Sequence, residues 1–167
     1  MADYYEIFAA DYDRIFDDDA LARGPALSHP ATARLLERTS HGSLVLDAAC
    51  GTGINAAALA RRGYRVWAAD GSEAMLTVAA DRFRSERLEI PVVHSMWADL
   101  PAVLAERFDV VLCIGNSLVH AVGRDAMIGA LTGFREMVRP AGTWLSIHVT
   151  GRSSMPNAGS CNWPTAR

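Results

Sequence analysis

Two aspartates and two glycines stand close together in the first half of the chain, and these residue types can hold a small ligand. Asp47 lies four residues before Gly51 in the stretch LDAACGTGINAAALA, Gly53 follows, and Asp70 comes seventeen residues after Gly53. Glycine lets backbone approach a ligand closely, and a carboxylate can accept two hydrogen bonds from a vicinal diol. The pattern predicts a ligand site on a glycine turn, with a plain strand-to-helix turn as the structural alternative.

The class of ligand depends on Asp47. Gly51, Gly53 and Ala56 also fit the G-x-G-x-x-A fingerprint of dinucleotide-binding turns, in which Asp70 would hold a ribose. A dinucleotide would place its pyrophosphate beside the Asp47 carboxylate and be repelled, whereas a ligand with an amino group or a sulfonium would be attracted. The residues therefore favour a cationic ligand and leave an NAD-dependent oxidoreductase as the less favoured alternative.

Short apolar runs alternate with helical patterns around this turn. Five runs predict strands, at 43–49, 64–70, 91–95, 108–115 and 142–149. The last helix is expected over 124–138, ending near Pro140. Nearly continuous apolar strands with helices between them are typical of a parallel sheet covered on both faces. Right-handed crossovers then give a doubly wound α/β fold, which binds ligands at the carboxyl ends of its strands.

Composition excludes several classes of function. The chain has 16 basic and 19 acidic residues, a net charge of -3, which argues against a nucleic-acid-binding face. Its three cysteines, Cys50, Cys113 and Cys161, form no disulfide framework and have no metal-ligand spacing, and a reducing cytoplasm is the expected setting. Cys50 and Cys113 lie in apolar runs, as buried packing residues do. No apolar run approaches the roughly 20 residues of a membrane span.

The 167 residues are expected to form a single domain. Residues 1–40 precede the first strand and predict a helical cap that packs outside the sheet or over the mouth of the site. Residues 43–149 form the predicted core. Residues 150–167 are rich in Gly, Ser, Pro and Asn and predict an irregular tail.

The turn also carries a family resemblance. The stretch DAACGTG at 47–53 resembles the acidic-x-Gly-x-Gly-x-Gly signature of class I S-adenosylmethionine-dependent methyltransferases, with Ala49 where the first glycine is common. Four later stretches are similar to family segments in the same order: DGSEAML (70–76), MWADLP (96–101), FDVVLCIGNSLVH (108–120) and MVRPAGTWL (137–145). The resemblance covers roughly two-thirds of the chain. It implies a Rossmann-like sheet in the order 3-2-1-4-5 with helices on both faces.

The resemblance implies a cofactor, S-adenosylmethionine, and a set of residues that bind it. Asp47 would orient the methionine ammonium and Asp70 would grip the ribose hydroxyls; for each, a cap at a strand or helix end is the structural alternative. The implied set is Tyr12, Asp47, Ala49, Gly51, Gly53, Asp70, Gly71, Met75, Trp97, Ala98 and Cys113. The implied product is S-adenosylhomocysteine, and no metal is implied.

Four acidic or large side chains near this site each have two interpretations. Met75 would lie near the adenine or in the core, and Trp97 would stack on the adenine or close the core. Asp99 would bond the adenine amino group or lie exposed on a loop. Tyr12 in DYDRIF resembles an N-terminal tyrosine that covers the cofactor in several relatives, and the alternative is a cap packed on the sheet.

Asn116, Ser117 and His120 are the predicted catalytic residues, because they follow the fourth strand, where the family faces the methyl group and the acceptor. Asn and Ser can orient an amine or a hydroxyl, and His can accept a proton. The runs CIGNSLVH and MWADLP resemble the glycine and sarcosine N-methyltransferase branch, so transfer to an amine nitrogen of a small molecule is expected. Arg152 is out of register with the arginine that holds the substrate carboxylate in that branch, which leaves other small acceptors open.

The family core ends in an antiparallel hairpin beside strand five, and that hairpin is expected to be missing here. Strand five would then expose an edge, which a partner, including a second copy, could cover. An incomplete acceptor side with weak activity is the corresponding expectation. A non-catalytic fragment that binds S-adenosylmethionine is the alternative function.

Overall fold

The computed structural model describes residues 6–147, which form a five-stranded parallel sheet. The strands are β1 (Leu44–Asp47), β2 (Arg65–Asp70), β3 (Val92–His94), β4 (Phe108–Cys113) and β5 (Val138–Ser146). Their order is β3-β2-β1-β4-β5, and every neighbouring pair is parallel. The predicted fold class and strand order are confirmed.

Helices connect the strands on both faces of the sheet. They are α1 (Asp18–Arg23), α2 (Pro30–Glu37), α3 (Ile54–Arg61), α4 (Glu73–Ser85), α5 (Leu100–Val103) and α6 (Arg124–Met137). Alanines favour α3, which stops before Gly63, where φ is +86°. The Ser72 hydroxyl accepts from the Met75 amide at 3.3 Å and caps α4.

Alternating strand residues divide the core into two hydrophobic layers. Val45 of β1 and Leu112 of β4 pack with α3 and α4 on one face, while Leu46 and Val111 pack with α5 and α6 on the other. Successive side chains of a strand point to opposite faces. The sheet is therefore buried on both sides, as a doubly wound fold requires.

The start of β5 differs from the prediction. The last helix ends at Met137, and β5 begins at once at Val138, so that Pro140 lies inside the strand rather than in a loop before it. The pairing shifts between Phe108 with Val138 and Val110 with Thr143, which leaves Pro140 in a bulged part of the edge strand. Proline is tolerated at such places because its missing amide leaves no ladder bond unmade.

The N-terminal cap consists of short turns and helices. A 3₁₀ turn at Ala9–Ile15 and another at Pro25–Ser28 flank α1. Residues 1–5, the end of the predicted fifth strand, the tail at 150–167, Arg152 and Cys161 lie outside the described residues. Within 6–147, β5 pairs with β4 alone. Nor does this range contain a helix long and apolar enough to cross a membrane, or a cluster of potential metal ligands.

Candidate functional site

The glycine turn joins β1 to α3, and Asp70 holds it in place. The Gly51 amide donates to Asp70 Oδ2 at 2.8 Å, and the Ser72 amide donates to Asp70 Oδ1 at 3.0 Å. Burial raises the pKa of Asp70, and the amides of Gly51, Ser72 and Gly71 partly offset that rise. Each carboxylate oxygen keeps a second lone pair. Asp70 therefore caps the turn and can still accept from a diol.

The two glycines of the turn serve different purposes. Both have positive φ, +53° at Gly51 and +79° at Gly53. A Cβ on Gly53 would lie 2.6 Å from the ring of Phe83, so this glycine lets α4 approach the turn. A Cβ on Gly51 would meet nothing within 4 Å. Gly51 therefore presents bare backbone to open space, as a ligand seat requires.

Asp47 is a buried carboxylate at the end of β1. Its side chain has no exposed surface, and neither oxygen has a hydrogen-bond partner among residues 6–147. Burial raises the pKa of Asp47 from 3.8 to about 7. The backbone amide of Ala49 is not positioned for a hydrogen bond but still lowers this pKa in part, and the nearby Asp70 carboxylate raises it further. A buried charge without a partner is costly. The site is therefore suited to a positive group that compensates it.

The loop after β3 is attached to the sheet by Trp97. Its indole Nε1 donates to the carbonyl of Ala48 at 2.7 Å, and its ring packs edge-on against Phe134 of α6 with centroids 5.9 Å apart. This placement supports the interpretation of Trp97 as a residue that closes the core. Ala98 and Asp99 lie exposed on the same loop, and binding of the adenine by either of them stays a prediction.

Three other predicted ligands lie at different depths. Met75 is 1% exposed in the first turn of α4, and Cys113 is 1% exposed in the layer that packs on α6. Burial raises the pKa of the Cys113 thiol to about 12, so it is neutral. Both placements agree with packing roles. Gly71 is exposed, and a Cβ there would lie 3.0 Å from Met96 Sδ, so the Met96 side chain packs closely against the Gly71 backbone.

The predicted catalytic residues follow β4, whose neighbour in the sheet is β1. Asn116 adopts a left-handed conformation with φ of +68°, which asparagine tolerates better than most residues. The Ser117 hydroxyl donates to the Ile114 carbonyl at 3.1 Å, so its oxygen remains able to accept from an amine. His120 is exposed at the end of the 3₁₀ turn Ser117–His120. Their catalytic roles stay predictions.

Tyr12 lies in the 3₁₀ turn Ala9–Ile15, between the rings of Phe8 and Phe16 at 6.1 and 6.0 Å. Its neighbour Asp13, which belongs to none of the sequence motifs, accepts from the Thr52 hydroxyl at 2.6 Å. Thr52 lies between the two glycines of the turn. The only sequence signal for this contact was the position of Asp13 beside Tyr12 in DYDRIF.

Comparison with known proteins supplies the class. Residues 45–142 match the family described as a methyltransferase domain. The glycine/sarcosine N-methyltransferase of Aphanothece halophytica is 35% identical over 103 residues, which are 61% of this chain and 39% of that protein. Methyltransferase GfsG of Streptomyces halstedii is 34% identical over 152 residues, 81% of this chain and 51% of that protein. The chain thus spans about half the length of these relatives or less.

A solved structure with the same fold is an S-adenosylmethionine-dependent methyltransferase from Clostridium acetobutylicum. It has a TM-score of 0.66 and 23% identity, and the match covers 85% of this chain and 56% of that one. The chain belongs to the methyltransferase-domain family. Within that class it is similar to the glycine/sarcosine N-methyltransferases, which confirms the resemblance predicted from the sequence.

The residues of the site fit S-adenosylmethionine, the cofactor of this class. The cofactor carries a sulfonium and an ammonium but no phosphate, which suits the uncompensated Asp47 carboxylate. Its ribose diol suits the remaining lone pairs of Asp70, and its chain can lie along the bare backbone of Gly51. An anionic pyrophosphate would meet repulsion from both carboxylates.

Proposed function

We propose that this protein transfers a methyl group from S-adenosylmethionine to an amine nitrogen of a small molecule. The observation that carries the proposal is the pair of carboxylates around the open glycine turn, Asp47 without a partner and Asp70 bonded to Gly51. The amine acceptor is supported by the names of the relatives, which include glycine/sarcosine N-methyltransferases. Bound S-adenosylmethionine supplies a methyl group already activated by its positive sulfur.

The protein contributes binding and orientation. Asp70 holds the ribose, Asp47 attracts the positive end of the cofactor, and the turn backbone at Gly51 supports the chain between them. Alignment of two reactants removes most of the entropic barrier of a bimolecular step. An amine must be neutral to react, so the acceptor side has to take or exclude a proton.

The segment after β4 serves the acceptor. Ser117 Oγ has its hydrogen committed to the Ile114 carbonyl, so its free lone pair accepts from an amine N–H and turns the nitrogen lone pair towards the methyl group. The Asn116 side-chain amide, which has both donor and acceptor groups, lies in the same loop. His120, at the exposed end of the turn, takes the released proton to solvent.

Transfer of a labelled methyl group to a panel of small amines, amino acids and hydroxy acids tests the proposal. We expect labelled product with one or more amines, and loss of most of the rate in Ser117→Ala while S-adenosylhomocysteine still binds. The matched control is Ser85→Ala, a serine on α4 whose hydroxyl donates to the Arg82 carbonyl. Tight binding of S-adenosylhomocysteine with no transfer to any acceptor would contradict the enzyme and support a non-catalytic binding protein. Binding of NAD alone would contradict both.

Cofactor affinity should rise with pH. The pKa of Asp47 is raised to about 7 by burial, so the carboxyl is protonated at pH 5.5 and charged at pH 8. Only the charged form attracts a cation, so we expect S-adenosylhomocysteine to bind roughly fivefold more tightly at pH 7 than at pH 6, as measured by calorimetry. The Asp47→Asn variant should bind more weakly and show a flat profile above pH 6; a profile as steep as that of the wild type would contradict the assignment.

The charge of Asp47 that favours cofactor binding destabilises the fold of the protein without cofactor. Since the folded pKa lies above the usual 3.8, the folded state binds the proton more tightly, and its stability falls as pH rises from about 4 to 7. Asp47→Asn should therefore unfold at a higher temperature than the wild type at pH 8, and at a similar temperature only below about pH 4. This readout separates the charge of Asp47 from any loss of shape.

A further inference from the structure

A ring of three side chains attaches the N-terminal segment to the glycine turn. The Thr52 hydroxyl donates to Asp13 Oδ1 at 2.6 Å, and Arg82 Nε donates to the Thr52 carbonyl at 2.9 Å. Arg82 Nη2 closes the ring through an ion pair with Asp13 Oδ2. We call this ring the latch. The latch joins three segments that are distant in the chain: the 3₁₀ turn Ala9–Ile15, the glycine turn and α4.

The latch is sheltered from solvent. Thr52 is 1% exposed, and the side chains of Arg82 and Asp13 are 16% and 26% exposed. An exposed ion pair contributes little because water screens it, but this pair is partly buried and shares a charged hydrogen bond with a buried hydroxyl. Loss of the hydroxyl would remove one of the two side-chain contacts of Asp13 in the latch, the other being its ion pair with Arg82 on α4. The latch is therefore strong enough to influence how often the N-terminal segment opens.

A second polar contact lies on the ribose side of the site. Glu6 Oε1 accepts from the Ser72 hydroxyl at 2.8 Å, and Ser72 is the residue whose amide donates to Asp70. Residues 6–16, which we call the strap, thus have one anchor beside Asp70 and one inside the glycine turn. The aromatic rings of Phe8, Tyr12 and Phe16 lie along the strap between and beyond these anchors.

We propose that the strap and the cofactor stabilise each other through the latch, and that Asp13, Thr52 and Arg82 are positioning residues that set how long the cofactor stays bound. This inference rests on the proposed cofactor site. Thr52 lies between Gly51 and Gly53, so a cofactor that orders the turn also orders the Thr52 side chain and carbonyl. By linkage, if the closed strap strengthens cofactor binding, then cofactor binding favours strap closure by the same free energy.

Trypsin measures opening of the strap directly, because Arg14 lies on it and its side chain is 82% exposed. When closing is fast, cleavage follows the equilibrium population of the open form. We expect cleavage after Arg14 to be roughly 5- to 30-fold faster in Thr52→Val and in Arg82→Gln, the range for loss of one or two such bonds. Saturating S-adenosylhomocysteine should slow this cleavage in the wild type, and slow it less in both variants.

Two control variants match these changes. Thr52→Ser keeps the hydroxyl and should restore the wild-type rate. Arg84→Gln removes an arginine two positions along α4 whose ion pair with Asp81 does not touch the strap, and it too should be cleaved at the wild-type rate. Opening of the strap in Asp13→Asn is measured by amide hydrogen exchange and not by trypsin. Asp13 immediately precedes Arg14, so this substitution also changes the sequence that trypsin recognises. Thermal unfolding of each variant separates strap opening from loss of the whole fold.

The outcomes for the latch and for the cofactor site are distinct. Cleavage after Arg14 at the wild-type rate in folded Thr52→Val and Arg82→Gln would overturn the latch. Faster cleavage with S-adenosylhomocysteine affinity and dissociation rate unchanged would overturn the coupling. No binding of S-adenosylhomocysteine by the wild type would contradict the proposed function, and the cleavage rates of the free proteins would still decide the latch.

Discussion

Asp70→Asn should weaken binding of S-adenosylhomocysteine by about 100-fold or more in calorimetry. The charged carboxylate would accept from the ribose diol while it accepts from the amides of Gly51 and Ser72. Hydrogen bonds to a charged group are each worth about 1.5–3 kcal/mol, and an asparagine offers one acceptor oxygen in place of two. Its amide group would also point a donor at one of the two backbone donors.

The matched control for this substitution is Asp81→Asn. Asp81 lies on α4 with its side chain 66% exposed, paired with Arg84, and its loss should leave the affinity unchanged. Binding is measured well below the unfolding temperature of each variant, so that all the proteins compared are folded. An affinity within about threefold of the wild type in the folded variant would remove Asp70 from the site and leave it only as a cap.

Gly133→Ala should reduce the free energy of unfolding by about 3 kcal/mol, at the upper end of what overpacking a core costs. Propensity alone predicts the reverse, since alanine is favoured over glycine inside a helix by about 1 kcal/mol. A Cβ at Gly133 would lie 2.0 Å from the carbonyl oxygen of Trp97 and 2.9 Å from its carbonyl carbon. The neighbour is backbone, so either α6 or the loop after β3 must move.

Gly129→Ala is the control, one turn earlier on the same helix. A Cβ there would lie 3.2 Å from the Ala98 side chain, a contact that a small shift relieves, so we expect stability within about 1 kcal/mol of the wild type. Chemical denaturation of the three proteins measures both changes. Gly133→Ala at or above wild-type stability would show that the loop yields easily and does not depend on α6.

The elements of the fold could be predicted because their signals are local. Apolar runs identified each strand to within a few residues, and the alternation of strands and helices indicated a parallel sheet. Pro140 was the exception: proline normally ends a pattern, and only the shifted pairing between β4 and β5 shows that the strand continues past it.

Part of the site could be predicted for the same reason. Asp47 and Asp70 end adjacent parallel strands, so their carboxyl groups had to reach the same edge of the sheet, and the structure places the Asp70 oxygen 2.8 Å from the Gly51 amide. Trp97 could not be assigned in this way. Its indole donates to the carbonyl of Ala48, 49 residues away in the chain. Sequence spacing does not show whether an aromatic ring stacks on the adenine of a ligand or packs in the core.

The sequence by itself predicted the class of protein and the order of the strands through the family resemblance of its motifs. It also placed Asp47 and Asp70 at the carboxyl ends of their strands, because the apolar runs show where each strand ends. The tertiary structure alone decided which contacts support the site. Asp13 and Arg82 are 69 residues apart in the chain, and Gly133 is needed only because a distant carbonyl approaches it. Contacts of this kind depend on how helices pack on the finished sheet, and a linear pattern contains no record of that packing.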